Sequence, residues 1–258
     1  MDKIFVSESA LKIAVGFGVF NIVLSVIGNI ANKIFHNVTS DTFVKRMRTL
    51  WLIMITFAIC LFFYKLLAYI LFSFIAIVCI LEYLRLMNLK QNNNIYKICG
   101  IVIIPLLFTF LGLLLTLKDV DNLAIILFLL IITLMNDFIQ AIFGFLIGRH
   151  KITPKISPNK TIEGLIGGIF GTTALSIFIG HYAMPIISIK QLTILGILFA
   201  ITGFLGDITV SAIKRYANVK DSSNLLPGHG GFLDRFDSLL YTAPILYFYI
   251  LLLQKMYN

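Results

Sequence analysis

The sequence predicts an all-α, polytopic integral membrane protein, and three observations carry that prediction. Hydrophobic residues make up 59% of the 258-residue chain and charged residues only 13%, against roughly 45–50% apolar and about 25% charged in an ordinary soluble domain. A chain of this size cannot hide so much apolar surface in one compact core, and such a composition is the opposite of a disordered one. Apolar stretches of membrane-crossing length recur along the chain, and basic residues gather in alternate loops.

A crossing helix needs about 20 mostly apolar residues. Eight stretches qualify, at 9–30, 48–64, 66–84, 96–117, 122–147, 163–186, 191–214 and 238–255. The first is too long for the apolar part of a cleavable signal peptide and lacks a small-residue cleavage site, so it reads as a span. The second and third are parted only by Tyr64-Lys65, the spacing of a tight hairpin. The fifth is long enough to tilt or to break near Asn136. The loops after spans 1, 3, 5 and 7 hold 15 of the 21 basic residues, among them Lys45, Arg46, Arg85, Lys90, Arg149, Lys155, Lys214 and Lys220. That bias puts all four loops on the cytoplasmic side and both termini outside; a ninth span would flip one end. In a bacterial cell the expected location is the inner membrane, with the site facing the cytoplasm.

Cys60, Cys79 and Cys99 sit in or beside apolar runs without CxxC spacing or histidine partners, so they read as small buried hydrophobes. No repeat or soluble domain interrupts the chain. It reads as one membrane domain over 1–258, with N-terminal helices lacking any motif over 1–130 and the chemistry over 131–258.

Charge in the bilayer core is costly, so polar residues inside spans are candidates for function. Span 5 carries Asn136, Asp137 and Gln140; a clasp between helices is the structural alternative. Span 6 opens with Glu163 and carries Gly164, Gly167, Gly168 and Gly171, two small-xxx-small pairs suited to close packing against a neighbouring helix or a second subunit. In span 7, Asp207, Ser211 and Lys214 lie on one helical stripe. An acid, a hydroxyl and an amine stacked this way suit a metal-bound polyphosphate.

The loop that follows holds Lys214, Arg215 and Lys220, then Gly228-His229-Gly230-Gly231, then Asp234 and Asp237. Glycines let backbone N–H groups approach phosphate closely. Asp234 and Asp237, three apart, share a face if span 8 begins there. With Asp207 they make three carboxylates able to hold a hard cation through oxygen. Base, glycine and acid together suggest a metal–nucleoside triphosphate site at the membrane surface.

The run from Ser211 to Asp237 resembles the phosphatidate cytidylyltransferase (CDP-diacylglycerol synthase) family. That pattern reads S-x-x-K-R-x4-K-D, a short spacer, then P-x-H-G-G-x-x-D-R-x-D, and every fixed position is present. Residues 148–164 are similar to the family's S-P-x-K-T-x-E-G segment, through Ser157, Lys160, Thr161 and Glu163. The resemblance covers roughly residues 136–245. One place departs: the run Asn136-Asp137-Phe138-Ile139-Gln140-Ala141 lacks the tyrosine that the family places after the alanine, as in a divergent branch.

The resemblance implies CMP transfer from CTP to phosphatidate or a related lipid phosphate, giving CDP-diacylglycerol and pyrophosphate in phospholipid biosynthesis. Mg²⁺ is then expected on Asp207, Asp234 and Asp237, with room for a second ion. Lys214, Arg215, Lys220 and Ser211 are expected to act on the triphosphate, and His229 to donate a hydrogen bond or hold the turn. Ser157, Lys160, Thr161, Gly228, Gly230 and Gly231 are expected to bind nucleotide or lipid head. The partners are CTP, the lipid and the bilayer, with a homodimer allowed and no nucleic acid. Two other readings compete: a CTP-dependent polyprenol or lipid kinase, and a non-enzyme, an ion-coupled transporter using Asp137 and Asp207. A CDP-alcohol phosphotransferase is excluded by the missing D-G-x2-A-R run.

Overall fold

The structure, a computed structural model, describes residues 8–16, 18, 65–89, 94–118, 120–185, 187–226 and 230–257. After a helical stretch at 8–16 come helices α1 (Lys65–Asn88), α2 (Asn94–Leu114) and α3 (Asn122–Ile147). A hairpin of β1 (Lys151–Thr153) and β2 (Ser157–Thr161) leads into α4 (Ile162–Ala183) and α5 (Ile189–Tyr216). The one-turn α6 (Leu233–Phe236) and α7 (Leu239–Tyr257) complete the chain.

The fold is that of an all-α polytopic membrane protein. Five described helices are long and apolar enough to cross a bilayer: Leu66–Asn88, Asn122–Ile147, Ile162–Ala183, Ile189–Tyr216 and Leu239–Met256. The apolar stretch Gly100–Leu114 of α2 is shorter. Six of the eight expected spans thus fall on helices, while 9–30 beyond its first turns and 48–64 lie outside the described residues. The β-hairpin is an element that the apolar periodicity did not announce.

Side chains close the helix starts. Asp121 accepts from Ala124 N (3.1 Å), Thr161 accepts from Gly164 N (3.1 Å), and Ser188 with Gln191 forms a reciprocal capping box. Lipid offers backbone groups no partners, so the helices close their own ladders and turn apolar side chains outward, among them Phe145, Phe170, Phe178 and Phe248.

Helix α3 forms the middle of the bundle, packed on α4, α5 and α7. Its first half, Leu123–Thr133, is buried on all sides. It runs unbroken through Asn136 because that side chain bonds sideways and leaves the backbone ladder alone. Asn136 Oδ1 accepts from Gln140 Nε2 (2.9 Å) and Thr172 Oγ1 (3.0 Å), and Gln140 Nε2 also reaches Ala200 O (3.3 Å). This is the interhelical clasp, joining α3, α4 and α5.

The glycines of α4 face α3 of the same chain. A Cβ at Gly164 would stand 2.7 Å from Gln140 O, and at Gly171 2.8 Å from Ile139 Cγ2; side chains at Gly167 and Gly168 would collide with Phe143 and Gln140. The small-residue pairs therefore serve close approach within the chain and call for no second subunit.

The hairpin after α3 and the loop after α5 meet at one end of the bundle, against the last turns of α1. Arg215 Nε donates to Ile156 O (3.0 Å), tying the end of α5 to the hairpin, and the loop after α5 bonds Glu82 near the end of α1. At the opposite end Gln254 Nε2 reaches Lys118 O (2.7 Å) and Tyr249 Oη reaches Gln191 O (2.9 Å). The basic loop expected after span 1, and residues 90–93 of the loop after span 3, lie outside the described residues.

Candidate functional site

Two groups of carboxylates occupy the loop-bearing end, one set into the helices and one in the loop after α5.

The inner group centres on Lys160. Strand β2 delivers this side chain beneath the hairpin, where its ammonium lies 2.6 Å from Asp207 Oδ2 and 3.3 Å from Gln140 Oε1. It also stands 5.5 Å from the centre of the Phe204 ring. Asp207 is nine residues before the end of α5, about 14 Å at the helical rise. Ser211, one turn on, donates to Asp207 Oδ1 (3.2 Å). Asp137 of α3 accepts from Ser238 Oγ (3.2 and 3.3 Å), and that hydroxyl lies 3.1 Å from Gly203 O. Asp237 accepts from Ser238 N (2.8 Å). Gly206 lets this junction approach α5, since a Cβ there would stand 2.5 Å from Asp237 O.

The electrostatics of the group are those of crowded acids around one base. Burial alone would lower the pKa of Lys160, but Asp137 and Asp207 outweigh it and raise the value above the ordinary one. Burial, then Asp207 and Asp137, push the Asp237 carboxyl well above the usual carboxylate range. Lys160 is the cation in direct contact with this group, and Arg235 adds a second positive charge that partly offsets the rise at Asp237.

The outer group is closed. Asp234 Oδ1 takes the Lys214 ammonium (2.7 Å), while Oδ2 accepts from Ser222 N (2.9 Å), Ser222 Oγ (3.0 Å) and Gly231 N (2.9 Å). Lys214 and its hydrogen bonds outweigh burial and hold this carboxyl below its usual value, although burial is the largest single influence. Next to it, Glu82 of α1 accepts from Ser222 Oγ (2.8 Å), Ser223 Oγ (2.6 Å), Phe232 N (3.0 Å) and Leu233 N (2.8 Å). Gly230 adopts φ +80, and a Cβ there would stand 2.5 Å from Asp234 Oδ2. At Gly231 a side chain would collide with Ser222 and Glu82. Both glycines make room for protein oxygens in this structure.

The site residues expected from the sequence therefore divide. Asp207, Ser211 and Lys160 come together, with Asp237 beside them and Asp137 and Gln140 added. Lys214 and Asp234 pair with each other, so the Asp207–Ser211–Lys214 stripe splits at its third member. Asp234 and Asp237, in the one-turn α6 and at its C-terminal cap, engage different partners: Asp234 pairs with Lys214, whereas Asp237 accepts from Ser238 N and stands near Asp207 and Asp137. Arg215 is held by Ile156 O and by Val219 O (2.9 Å). Thr161 caps α4, Ser157 pairs with Thr153 across the hairpin, and Lys220 is exposed. Gly228 and His229 lie outside the described residues. Glu163, at the start of α4, holds the hairpin through His150 Nδ1 (2.5 Å) and Arg149 N (3.0 Å). The reading of the sequence missed Glu82, although a lone acid in an apolar span is the signal it applied to Asp137 and Asp207.

The inner group suits a hard cation in kind: three carboxylates and a hydroxyl are oxygen donors of the type Mg²⁺ takes. The Lys160 ammonium already stands on Asp207 as a positive charge among them. Among the described residues, no three such side chains are close enough to enclose an ion as they stand. Binding a divalent ion in the group therefore requires Lys160 and the carboxylates to rearrange.

Comparison with known proteins gives a family. The cytidylyltransferase family matches residues 89–253. The uncharacterized protein YnbB of Escherichia coli (strain K12) is 48% identical over 126 residues, 49% of this chain and 42% of that protein. Phosphatidate cytidylyltransferase of Staphylococcus haemolyticus is 44% identical over 126 residues, 49% of this chain and 48% of that one. The enzyme of the same name in Staphylococcus aureus (strain COL) is 40% identical over 135 residues, 52% and 51% of the two chains. The chain spans about half the length of the curated relatives it matches.

Proposed function

The chain belongs to the cytidylyltransferase family, and from that premise we propose that it transfers CMP from CTP to phosphatidate, releasing pyrophosphate and leaving CDP-diacylglycerol in the membrane. The observation that carries the reading is the Lys160–Asp207 pair among Asp137 and Asp237, set into the helices at the end where the hairpin and the loop after α5 gather.

A lipid phosphate is already a nucleophile, so the reaction needs no strong general base. One of its oxygens attacks the α-phosphorus of CTP, the bond from that phosphorus to the bridging oxygen breaks, and pyrophosphate leaves with the electron pair. Two polyanions must meet in line, so positioning and charge neutralisation supply most of the catalysis. Lys160 is the base nearest the acids, and in this reading it turns from Asp207 toward phosphate when substrate arrives. Lys220, exposed on the loop, meets the outer phosphates of CTP. Mg²⁺, when bound, neutralises phosphate charge as a Lewis acid; Asp207 and Asp237 are the residues to hold it, with Asp137 beside them. Asp234, engaged by Lys214, Ser222 and Gly231, shapes the loop. The acyl chains stay in the bilayer, and the loop-bearing end faces the cytoplasm, as the positive charge of its loops favours.

The test is purified protein in detergent or vesicles, given phosphatidate, Mg²⁺ and CTP labelled in the cytidine or in the γ-phosphate. Cytidine label passing into lipid supports the reading. Lipid labelled from the γ-phosphate assigns a kinase instead, and no lipid label from either form overturns nucleotide chemistry on this lipid.

A further inference from the structure

We propose that Glu82 is a positioning residue for the two ends of the loop after α5, 221–226 and 230–234, clasping them to α1 and thereby fixing the Lys214–Asp234 pair that shapes the loop beside the nucleotide. The proposal rests on the CTP reading above for its kinetic half and on the geometry alone for the rest.

Glu82 lies on α1, among the first 130 residues, where no motif is found. Its side chain is buried. A carboxylate removed from water is costly unless donors meet it. Here two hydroxyls and two backbone N–H groups do so, at 2.6–3.0 Å. The origin of the donors is the informative point. Ser222 and Ser223 open the loop, and Phe232 and Leu233 close it. One carboxylate on a separate helix thus pins both feet of the loop, as a clasp does. Ser222 Oγ lies within hydrogen-bonding distance of both Glu82 Oε2 and Asp234 Oδ2. Asp234 in turn holds the Lys214 ammonium and Gly231 N. The two ends of the loop are therefore held from two sides, by α5 through Lys214 and by α1 through Glu82. The edge contact of Phe74 of α1 with the Phe232 ring, at 6.3 Å between centroids, adds apolar contact to the same clasp. Nothing else about α1 requires an acid at this depth, because its remaining buried contacts are apolar or aromatic, such as Phe72, Ile75, Tyr83 and Leu86.

The test uses the full chain with Glu82→Gln, which keeps the volume but turns an amide donor toward groups that are themselves donors. Ser223→Ala serves as a second variant that removes one of the four bonds to Glu82, together with the bond from Leu225 N to Ser223 Oγ (3.2 Å), and leaves Asp234 untouched. Two readouts are taken: hydrogen exchange of residues 222–233 against that of 195–210, and steady-state kinetics at varied CTP. Glu82→Gln is expected to speed exchange in 222–233 by about tenfold or more, from loss of charge-assisted hydrogen bonds. Exchange in α5 stays at the wild-type rate. The apparent KM for CTP rises by about tenfold while kcat changes less than threefold. Ser223→Ala moves both readouts in the same direction by a smaller factor. Unchanged exchange and unchanged KM in Glu82→Gln overturn the proposal. So does uniform acceleration throughout the chain with Ser223→Ala silent, since Glu82 then supports the bundle and not the loop. Wild-type protein that turns over no CTP overturns the cytidylyl-transfer reading alone, and the exchange comparison still decides whether Glu82 clasps the loop.

Discussion

Asp234 and Asp237 are three residues apart, buried to a similar degree, and oppositely treated by their surroundings. Asp234 is met by an ammonium and three N–H or O–H donors, which hold its carboxyl below the usual range. Asp237 stands near Asp207 and Asp137, and burial and those charges push it far the other way. One region has spent its acid on organising a loop. The other gathers three acids around Lys160, with Arg235 adding positive charge. On the proposed reading, the difference separates an acid that builds the site from acids placed to bind a cation, a distinction that residue type alone does not make.

The largest effect is expected at Asp207. Asp207→Asn should reduce CMP transfer by about 10²–10³-fold, some 3–4 kcal/mol of activation free energy, with the protein still inserted. Steady-state turnover beside a membrane-fraction assay checks both halves. Near-normal turnover at saturating Mg²⁺ would mean that the inner group is structural, and the contrast with the loop would collapse.

The sharpest comparison is a pair of amides. Asp234→Asn removes the charge beside buried Lys214, and breaking one side of a buried pair typically costs about 3–5 kcal/mol. Its unfolding temperature should fall by several degrees. Asp237→Asn places a neutral group where the surroundings already favour one, so its unfolding temperature should hold or rise while activity falls. Thermal melts of both variants in one detergent decide the matter; the reverse order of stabilities would break the assignment of roles.

A smaller effect is expected at Lys220, exposed and without a described partner in the inner group. Lys220→Ala should raise the CTP requirement by about ten- to a hundredfold through loss of a charge-assisted phosphate contact, with the Mg²⁺ dependence unchanged. Kinetics at crossed CTP and Mg²⁺ concentrations measure this. A shifted Mg²⁺ optimum with unchanged CTP kinetics would place Lys220 elsewhere.

The smallest effect concerns acid. The folded Asp234 carboxyl titrates below its unfolded value of about 3.9. The unfolded chain therefore takes up the proton first as pH falls. The contribution of Asp234 to stability is complete above that unfolded value and is lost as pH drops through the folded one. Melting temperatures of wild type and Asp234→Asn should run parallel from about pH 5 to 8 and converge below about pH 4. A gap that persists in acid would show that the pair with Lys214 is not its source.

The spans were legible because length and hydropathy decide them, and Asp207 with Ser211 was legible because a helix brings i and i+4 together. The Lys160–Asp207 pair was not, since the partners lie on a strand and a helix 47 residues apart and no periodicity links them. Asp234 and Asp237 are three apart on helical backbone, but their different partners, Lys214 for one and the neighbouring acids for the other, depend on distant residues that the i+3 rule does not see. Glu82 carried a local signal, an acid in an apolar run, but its partners lie 140 to 151 residues away. The hairpin was hidden because its strands are only three and five residues long, with proline in the second.

The glycine seam of α4 leaves a mark on how this chain can vary. Phe170 and Phe178 point to lipid, where any apolar side chain serves, whereas a methyl group at Gly164 or Gly168 would press on Gln140. Gln140 is also the side chain that reaches Lys160. Helix α4 is therefore permissive on its outer half and rigid along one stripe, and an added methyl on that stripe would be felt at Lys160 as a changed charge environment. Drift in the outer residues costs the protein little, while the smallest residues in the helix set the spacing at which the lysine sits among its acids.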